Sequence, residues 1–153
     1  MQKRMVHSSA PSPPGRWLNV DVLADVELTS EEAAHPVEAA LTPGDASGWR
    51  ASERGTQSIR LVFHRPQSLR RIRLRFDEAD DERTQEFTLR WSPDGGQTFR
   101  EVVRQQYTFS QAGATSEVED LNVDLVAVTA LELTIIPDQR GLAYASLTEW
   151  RVA

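Results

Sequence analysis

Two short stretches of the sequence place an aromatic ring beside side chains that donate hydrogen bonds. GWRAS contributes Trp49 and Arg50, and RQQYTFS contributes Arg104, Gln106 and Tyr107. The face of such a ring stacks on the C–H groups of a sugar, while guanidinium and amide groups bind pairs of hydroxyls. These five residues are therefore the candidate ligand-binding residues. The alternative is packing, with Trp49 as a core plug and Tyr107 as an anchor of its loop.

Metal binding is suggested by DEADDER, which spans residues 77–83 and holds five carboxylates in six residues. Oxygen ligands at this density could bind calcium, but the glycine and the terminal glutamate of an EF-hand loop are missing. A solvated acidic loop is the favoured interpretation. The three histidines, at positions 7, 35 and 64, share no spacing typical of zinc ligands.

The sequence offers little for catalysis. It contains no cysteine, which excludes thiol nucleophiles, thiolate metal sites and disulfides. Neither a G-x-S-x-G motif nor a phosphate-binding P-loop is present. Two carboxylates could still converge in space, as in a glycoside hydrolase. We therefore predict that the protein is not an enzyme, and a hydrolase is the least favoured alternative.

An arginine row, formed by Arg71, Arg73 and Arg75, alternates with apolar residues in LRRIRLRF. Such a row could bind an anion. More often it forms a solvent-facing surface in which each arginine pairs with an acid on a neighbouring strand. Glu86 and Glu132 are the expected partners here, and this pairing is the favoured interpretation.

SPDGGQTF, residues 92–99, matches the S-x-D-x-G-x-T-F pattern of an Asp box, a motif that repeats in sialidase-type propellers. A propeller requires several copies, and the sequence has one. The Asp-Gly-Gly sequence also favours the positive φ angles of a tight turn. The motif is therefore predicted to be a hairpin between two strands.

Length and charge limit the possible classes. The 153 residues fit one domain that folds without covalent cross-links. Its net charge of −6 argues against nucleic acid as a partner, and no apolar run approaches the roughly 20 residues of a membrane span. Residues 1–17 are predicted to be a flexible tail without a signal peptide, and residues 18–153 to form the domain. Without cysteine or a signal, a cytoplasmic location is expected.

Apolar and polar residues alternate along most of the chain, which is the pattern of half-buried β-strands. One helical turn is plausible, from Pro36 to Leu41. Strands about a dozen residues apart predict an all-β fold, a two-sheet antiparallel β-sandwich with one short helical turn. The predicted core residues are Ile59, Leu61, Phe63, Ile72, Leu74, Phe76, Phe87, Leu89, Trp91, Leu121, Val123, Leu131, Leu133 and Ile135.

The connections between the predicted strands fall into a short and a long group. In an antiparallel sandwich successive connections alternate between the two ends. The short group, which shares its end with both termini, comprises residues 64–68, 92–97 and 126–130. The long group comprises residues 29–56, 77–84, 105–115 and 137–144. Because binding surfaces usually lie on loops of a rigid scaffold, we expect the ligand at the long-loop end.

The order of these motifs resembles the galactose-binding-like jelly-roll domains of discoidin (coagulation factor type C) proteins and carbohydrate-binding modules. The resemblance covers about Val20 to Ala153. It is carried by VELTSEEAAHPVEAALT, GWRAS, QSIRLVFHRPQSLRRIRLRF, SPDGGQTF and the terminal ASLTEWRV. RTQEFTLRWS, RQQYTFS and EVED are similar to a bacterial subgroup of small stand-alone proteins.

This resemblance implies a jelly roll whose ligand binds at the loop end opposite the termini. It also implies a structural calcium ion near the first loops, which would involve Glu38, Thr42 or Asp45. No other cofactor is indicated. The terminal cysteine pair and the secretion signal of discoidin domains are missing, which argues against an extracellular role.

HPVEAALTPGDASGWRAS is also similar to the start of the N-terminal domain of the vertebrate single-strand-break repair scaffold. That domain shares the fold and acts through protein and DNA contacts. The acidic charge argues against DNA, so a protein partner is the alternative. We therefore predict a non-catalytic ligand-binding module, with carbohydrate as the favoured ligand and a protein-interaction domain as the second hypothesis.

Overall fold

A computed structural model of the chain describes residues 17–153. The predicted tail lies outside this range except for Trp17, whose ring centroid is 4.6 Å from Cζ of Arg71. In the described part of the chain, no helix is long and apolar enough to cross a membrane. The elements are α1 (Val20–Leu23), β1 (Ala24–Leu28), α2 (Glu38–Leu41), β2 (Trp49–Arg54), β3 (Gln57–Asp77), β4 (Arg83–Ser92), β5 (Arg100–Phe109), β6 (Ser116–Ile136), β7 (Tyr144–Leu147) and β8 (Glu149–Val152).

Two long strands organise the fold. β3 and β6 have 21 residues each and pair antiparallel over nearly their whole length. The register shifts near the middle of the pair, where Ala127 has a φ of 60°. A shift of this kind lets an antiparallel pair bend. The first half of β3 pairs with β1 and the second half with β8, so the two long strands belong to both layers of the molecule.

The two layers form an antiparallel sandwich. One layer contains β1, the first half of β3, the second half of β6, β4 and β5 in that order. The other contains β8 and the remaining halves of β3 and β6. Phe76 and Phe87 pack across the layers with ring centroids 5.0 Å apart. The predicted two-sheet antiparallel sandwich is thereby confirmed; β2 and β7 add a separate two-stranded ladder.

Two of the predicted short connections are wrong. Residues 64–68 and 126–130 are not hairpins, because the backbone continues through them as the bends of β3 and β6. Pro66, which cannot donate a ladder hydrogen bond, lies in this irregular segment. The predicted helical turn corresponds to α2, and the sequence reading missed the turn α1, which buries Val20.

The predicted core is largely confirmed. Eleven of the fourteen residues are buried, and the exceptions are Trp91, Leu121 and Val123. The last two lie in the first half of β6, which pairs only with β3 in the described part of the chain and so forms the edge of its layer. The core also contains large side chains that the alternation did not indicate: Trp49, Phe109, Leu147 and Trp150.

The arginine row lies on the outer face of the smaller layer and is paired with acids, as the favoured interpretation predicted. Arg71 donates to Asp120 at 2.8 and 2.7 Å. Arg73 donates to Glu149 at 2.8 Å and also contacts Asp120 at 3.3 Å. Arg75 contacts a carboxylate of its own strand. An anion-binding stripe is therefore not needed to explain these charges.

The acids expected to pair with this row are on the other layer, so that part of the prediction is wrong. Glu86 contacts Arg104 at 3.3 Å. Glu132 is 8% exposed and contacts both Arg60, at 2.6 Å, and Arg90. The alternation of residues shows which face an arginine occupies. It does not show which strand lies beside it.

The 92–99 segment forms the predicted hairpin between β4 and β5. Asp94 accepts hydrogen bonds from the amide and hydroxyl of Thr98, at 2.9 and 2.6 Å, and from the hydroxyl of Ser92 at 2.7 Å. These bonds lower the pKa of Asp94 from 3.8 to about 2. Phe99 packs against the guanidinium groups of Arg60 and Arg90, 4.9 and 4.6 Å from its centroid. The motif is thus a hairpin fastened to the sheet.

We expect Asp94→Asn to lower the melting temperature by a few degrees at pH 7, because the amide accepts these hydrogen bonds more weakly than the carboxylate. The folded-state pKa of about 2 lies below the unfolded one. The carboxylate therefore stabilises the fold above roughly pH 4, and its contribution is lost as the pH falls toward 2. Thermal melts of both proteins from pH 7 to pH 2 should converge at low pH. A difference that is constant with pH would contradict this, and Asp81→Asn in an exposed loop serves as control.

Candidate functional site

Several long connections meet at one end of the sandwich. The amide of Glu78 donates to the carbonyl of Thr115 at 2.8 Å, which joins the 78–82 and 110–115 turns. The amide of Gly55 donates to the carbonyl of Ala143 at 3.0 Å, which joins the β2–β3 turn to the 137–143 loop. The hairpin at 92–99 and the two strand bends lie at the other end. The 78–82, 110–115 and 137–143 connections and the β2–β3 turn are therefore at the expected end, whereas the α2 part of the first long connection packs against α1.

A buried arginine fixes two of these connections to the sheet. Arg83 is 7% exposed. Its Nε donates to Glu78 at 2.9 Å, and its Nη1 donates to Gln85 at 2.6 Å and to the carbonyl of Pro137 at 2.7 Å. Its guanidinium also lies 5.2 Å from the ring centroid of Phe109. The loop end is therefore held in a defined position instead of moving independently of the sheet.

Tyr107, a predicted ligand-binding residue, is an internal anchor. Residues 105–109 are not loop, because β5 continues to Phe109. The ring of Tyr107 packs edge-on against Phe109, with centroids 5.1 Å apart, and its hydroxyl accepts a 2.9 Å hydrogen bond from Gln85. Burial raises the pKa of the Tyr107 hydroxyl far above its usual range. The packing alternative is therefore correct for this side chain.

Trp49 is the core plug that the packing alternative predicted. It is 1% exposed, and its Nε1 donates to the carbonyl of Ser30 at 3.0 Å. The preceding Gly48 has a φ of 76°, and a Cβ there would lie 2.8 Å from the carbonyl oxygen of Leu147. This close approach lets β2 pack on β7. The indole face is consequently not available to a ligand.

Arg104 and Gln106 are exposed, but they lie on the outer face of the larger layer and not on a loop. Arg104 contacts Glu86 at 3.3 Å and Glu101 at 3.1 Å. Gln106 borders a shallow depression of about 150 Å³ with Thr84, Glu86, Ile136 and Gln139. The five predicted site residues are thus divided between the core, this sheet face and the loop end.

Arg50 is the predicted residue that lies in a cluster suited to ligand binding. Its guanidinium is 5.3 Å from the ring centroid of Tyr144, and that of Arg54 is 5.4 Å from the same centroid. Arg54 also donates to the Tyr144 hydroxyl at 3.4 Å, and Arg50 contacts Glu32 at 3.2 Å. We refer to Glu32, Arg50, Arg54 and Tyr144 as the loop-end cluster. It combines one aromatic ring with two forks of hydrogen-bond donors.

The backbone around the cluster is held by a ladder of hydrogen bonds. The amide of Glu32 donates to the carbonyl of Arg50 at 2.9 Å, and the amide of Arg50 donates to the carbonyl of His35 at 3.1 Å. The hydroxyl of Ser30 donates to Gln57 at 2.6 Å and accepts from the amide of Ser52 at 3.1 Å. The first long connection is therefore joined to β2 directly beside the cluster.

Tyr144 and Arg54 were missed because they are 90 residues apart in the sequence and meet only through the pairing of β2 with β7. The sequence contained only an indirect indication that Tyr144 belongs to a site. Tyr144 follows the 137–143 connection, where an aromatic residue at the end of a long loop is a candidate contact. Tyr144 is the last residue of the predicted 137–144 connection, and no role was predicted for it.

The residues implied for calcium do not fit a cation. The carbonyl of Thr42 accepts a 2.8 Å hydrogen bond from Arg151, which is 3% exposed and also donates to the carbonyl of Ala40 at 2.6 Å. Asp45 is occupied by the amide and hydroxyl of Ser47, at 2.8 and 2.5 Å. A buried guanidinium already provides the positive charge, and it would repel a divalent ion.

The acidic 77–83 segment pairs two of its five carboxylates with arginines. Glu78 is bound to Arg83 and Asp77 to Arg75, while residues 79–82 are exposed. Among residues 17–153, no group of three or more histidine, aspartate or glutamate side chains has a metal-binding arrangement. The solvated-loop interpretation accounts for this segment.

Comparison with solved structures identifies the architecture. A pectin-binding carbohydrate-binding module is similar over 85% of this chain and 89% of its own, with 19% identity and a TM-score of 0.60. A family 32 carbohydrate-binding module of Clostridium perfringens, in complex with GalNAc-β-1,3-galactose, is similar over 89% of this chain and 98% of its own, with 18% identity and a TM-score of 0.64. The chain has the galactose-binding-like jelly-roll fold.

A further jelly roll with this architecture is the family 32 module of Clostridium perfringens NanJ in complex with galactose. It has 16% identity and a TM-score of 0.63, and the similarity covers 89% of this chain and 97% of the module. No family model and no curated protein matches the chain. At these identities the similarity establishes the fold.

Replacing Tyr107 tests its role as an anchor. We expect Tyr107→Phe to cost about 1 kcal/mol of unfolding free energy, because Gln85 loses its partner, and Tyr107→Ala to cost about 2–4 kcal/mol. Urea denaturation of the two variants and the wild type measures both values. Unchanged stability in Tyr107→Ala would show that the ring does not pack as described.

Replacing Arg151 tests whether the guanidinium takes the place of a metal. We expect the wild-type melting temperature to be the same in EDTA and in millimolar Ca²⁺. Arg151→Met should cost about 2–4 kcal/mol, because two buried carbonyls lose their donors. The control Arg71→Met, which removes a more exposed ion pair, should lower the stability much less. Stabilisation of the wild type by Ca²⁺ would contradict the assignment.

Proposed function

We propose that the protein is a non-catalytic carbohydrate-binding module that takes its ligand at the loop-end cluster. The observation that carries this proposal is the position of Arg50 and Arg54 against the partly exposed ring of Tyr144. A ring edge beside guanidinium donors matches the C–H and hydroxyl surfaces of a sugar. The cluster lies on the β2–β7 ladder and on the first long connection, which backbone hydrogen bonds join to β2, so little ordering is needed on binding.

The structural neighbours support this ligand class. The similar jelly rolls are carbohydrate-binding modules, with bound ligands that include galactose and a GalNAc-galactose disaccharide. Fold alone does not determine function, and a site must carry the argument. The loop-end cluster supplies such a site. Its groups have the chemistry expected of a sugar-binding site, and it lies at the end of the sandwich where the sequence predicted the ligand.

The proposal that the module is non-catalytic rests on the nature of this site. Glycoside hydrolysis needs two carboxylates that face each other across the scissile bond. In the loop-end cluster the one carboxylate, Glu32, is engaged with Arg50. The other groups of the cluster are donors and an aromatic ring, which suits recognition more than proton transfer.

Arg104 and Gln106 offer a competing surface on the outer sheet face. Their groups are polar and exposed, but Arg104 is engaged with Glu86 and Glu101, and no aromatic ring borders the depression beside Gln106. A sugar would therefore find hydroxyl partners there without a stacking surface. This face is therefore the less favoured candidate site, and the experiment below distinguishes it from the loop-end cluster.

A glycan array with the purified protein, followed by calorimetry on the best ligand, tests the proposal. We expect Tyr144→Ala to weaken binding by about tenfold or more, which corresponds to about 1.4 kcal/mol or more, with little change in melting temperature. Phe99→Ala is the matched control, because Phe99 also packs against two arginines but at the opposite end. It should retain wild-type affinity.

The double variant Arg104→Ala with Gln106→Ala should bind like the wild type. If it loses binding while Tyr144→Ala does not, the ligand lies on the sheet face and the assignment to the loop end is wrong. An array without specific binding to any glycan would contradict the carbohydrate proposal. Protein recognition would then be the function to pursue.

A further inference from the structure

We infer that the ligand of the loop-end cluster is an acidic sugar, in which a carboxylate is bound by Arg54 and Arg50; this rests on the proposed carbohydrate function. The simplest residue of this class is a uronic acid. The arginines of this chain, whose net charge is −6, are not all partnered in the same way.

Most arginines outside the loop end are matched with carboxylates. Arg71 and Arg73 share Asp120, and Arg60 and Arg90 share Glu132. Arg54 is different. Within residues 17–153 no carboxylate lies within 4 Å of its guanidinium, and its polar partner is the hydroxyl of Tyr144 at 3.4 Å. Arg54 is thus an exposed arginine at the loop end of an acidic protein, and it has no carboxylate partner among residues 17–153.

Arg50 adds a second fork to the same place. Its Nε lies 3.2 Å from a carboxylate oxygen of Glu32. In the described chain the Nη groups of Arg50 and Arg54 donate no hydrogen bond, while the Tyr144 ring holds both guanidinium carbons within 5.4 Å of its centroid. Both guanidiniums carry a positive charge beside the same ring, and a bound anion would be attracted to both.

The neighbouring loop contributes a third positive charge. Arg140 belongs to the 137–143 connection, is exposed, and has no carboxylate within 4 Å in the part of the chain that the structure describes. The next residue, Gly141, has its carbonyl oxygen 3.8 Å from the position of a Cβ on Gly55. The loop that carries Arg140 therefore lies directly against the turn that follows Arg54.

These groups match a carboxylate better than they match hydroxyls alone. A guanidinium is planar and presents parallel N–H donors that bind a carboxylate in a bidentate manner. Charge-assisted bonds of this kind are shorter and stronger than bonds between neutral groups. A neutral sugar would leave the charge of Arg54 uncompensated, whereas the carboxylate of a uronic acid would compensate it while the ring of the sugar contacts Tyr144.

The test compares ligands that differ in charge but not in shape. Calorimetry should be run with tri-galacturonate, its methyl ester and galactotriose, and with a glucuronate oligomer in place of the galacturonate. We expect one of the two acids to bind at least about tenfold more tightly than its methyl ester in 50 mM NaCl, and this preference to shrink in 500 mM NaCl, because salt screens the exposed charges.

Variants of the cluster arginines test whether these residues cause the preference for the acid over its methyl ester. Arg54→Gln should remove the preference for the acid over the ester, and Arg54→Lys should retain part of it, since lysine keeps the charge without the fork. Arg65→Gln is the matched control, because Arg65 is exposed, without an ion pair among residues 17–153, and located at the opposite end. It should bind both ligands like the wild type.

The outcomes separate this inference from the proposed function. Equal affinity for the acid and the ester, or for a neutral glycan, would overturn the acidic-sugar assignment and leave the carbohydrate proposal standing. A preference for the acid that survives Arg54→Gln and Arg50→Gln would overturn the assignment to these arginines. Binding to neither acidic nor neutral glycans would overturn both.

Discussion

The pairing of β3 with β6 is the interaction on which the remaining structure depends. Each strand is 21 residues long, and together they form the ladder from which both layers are built. Because the pair bends at its middle, each strand crosses from one layer to the other without a hairpin. The bend thereby fixes which connections lie at each end. The long connections meet opposite the bends, where the loop-end cluster is located.

Buried arginines hold the irregular segments onto this framework. Arg83 binds the carbonyl of Pro137 and the carboxylate of Glu78, and Arg151 binds the carbonyls of Ala40 and Thr42. In both cases a planar fork of donors satisfies backbone or carboxylate oxygens that would be costly to leave unpaired inside the protein. The side chains of the protein itself thus provide the cations that bind these oxygens.

The sequence was sufficient for the fold because strand alternation reports directly on which side chains are buried. It was less informative for the site. Trp49 and Tyr107 have the side chains of ligand-binding residues but point inward, and the alternation at the end of β5 did not show that the strand continues past Tyr107. Arg54 and Tyr144 lie 90 residues apart and meet only through the β2–β7 pairing. Such a contact is a property of topology, which the spacing of residues does not reveal.

The most direct test of the account is to map the ligand onto the protein by NMR. Backbone amide shifts should be recorded while the ¹⁵N-labelled protein is titrated with the best glycan from the array. We predict that the amides whose shifts change lie at residues 32–35, 50–55 and 138–144, and that the amides of the strand bends and the outer sheet face do not change. Changes confined to Arg104, Gln106 and their neighbours on β4 would contradict it.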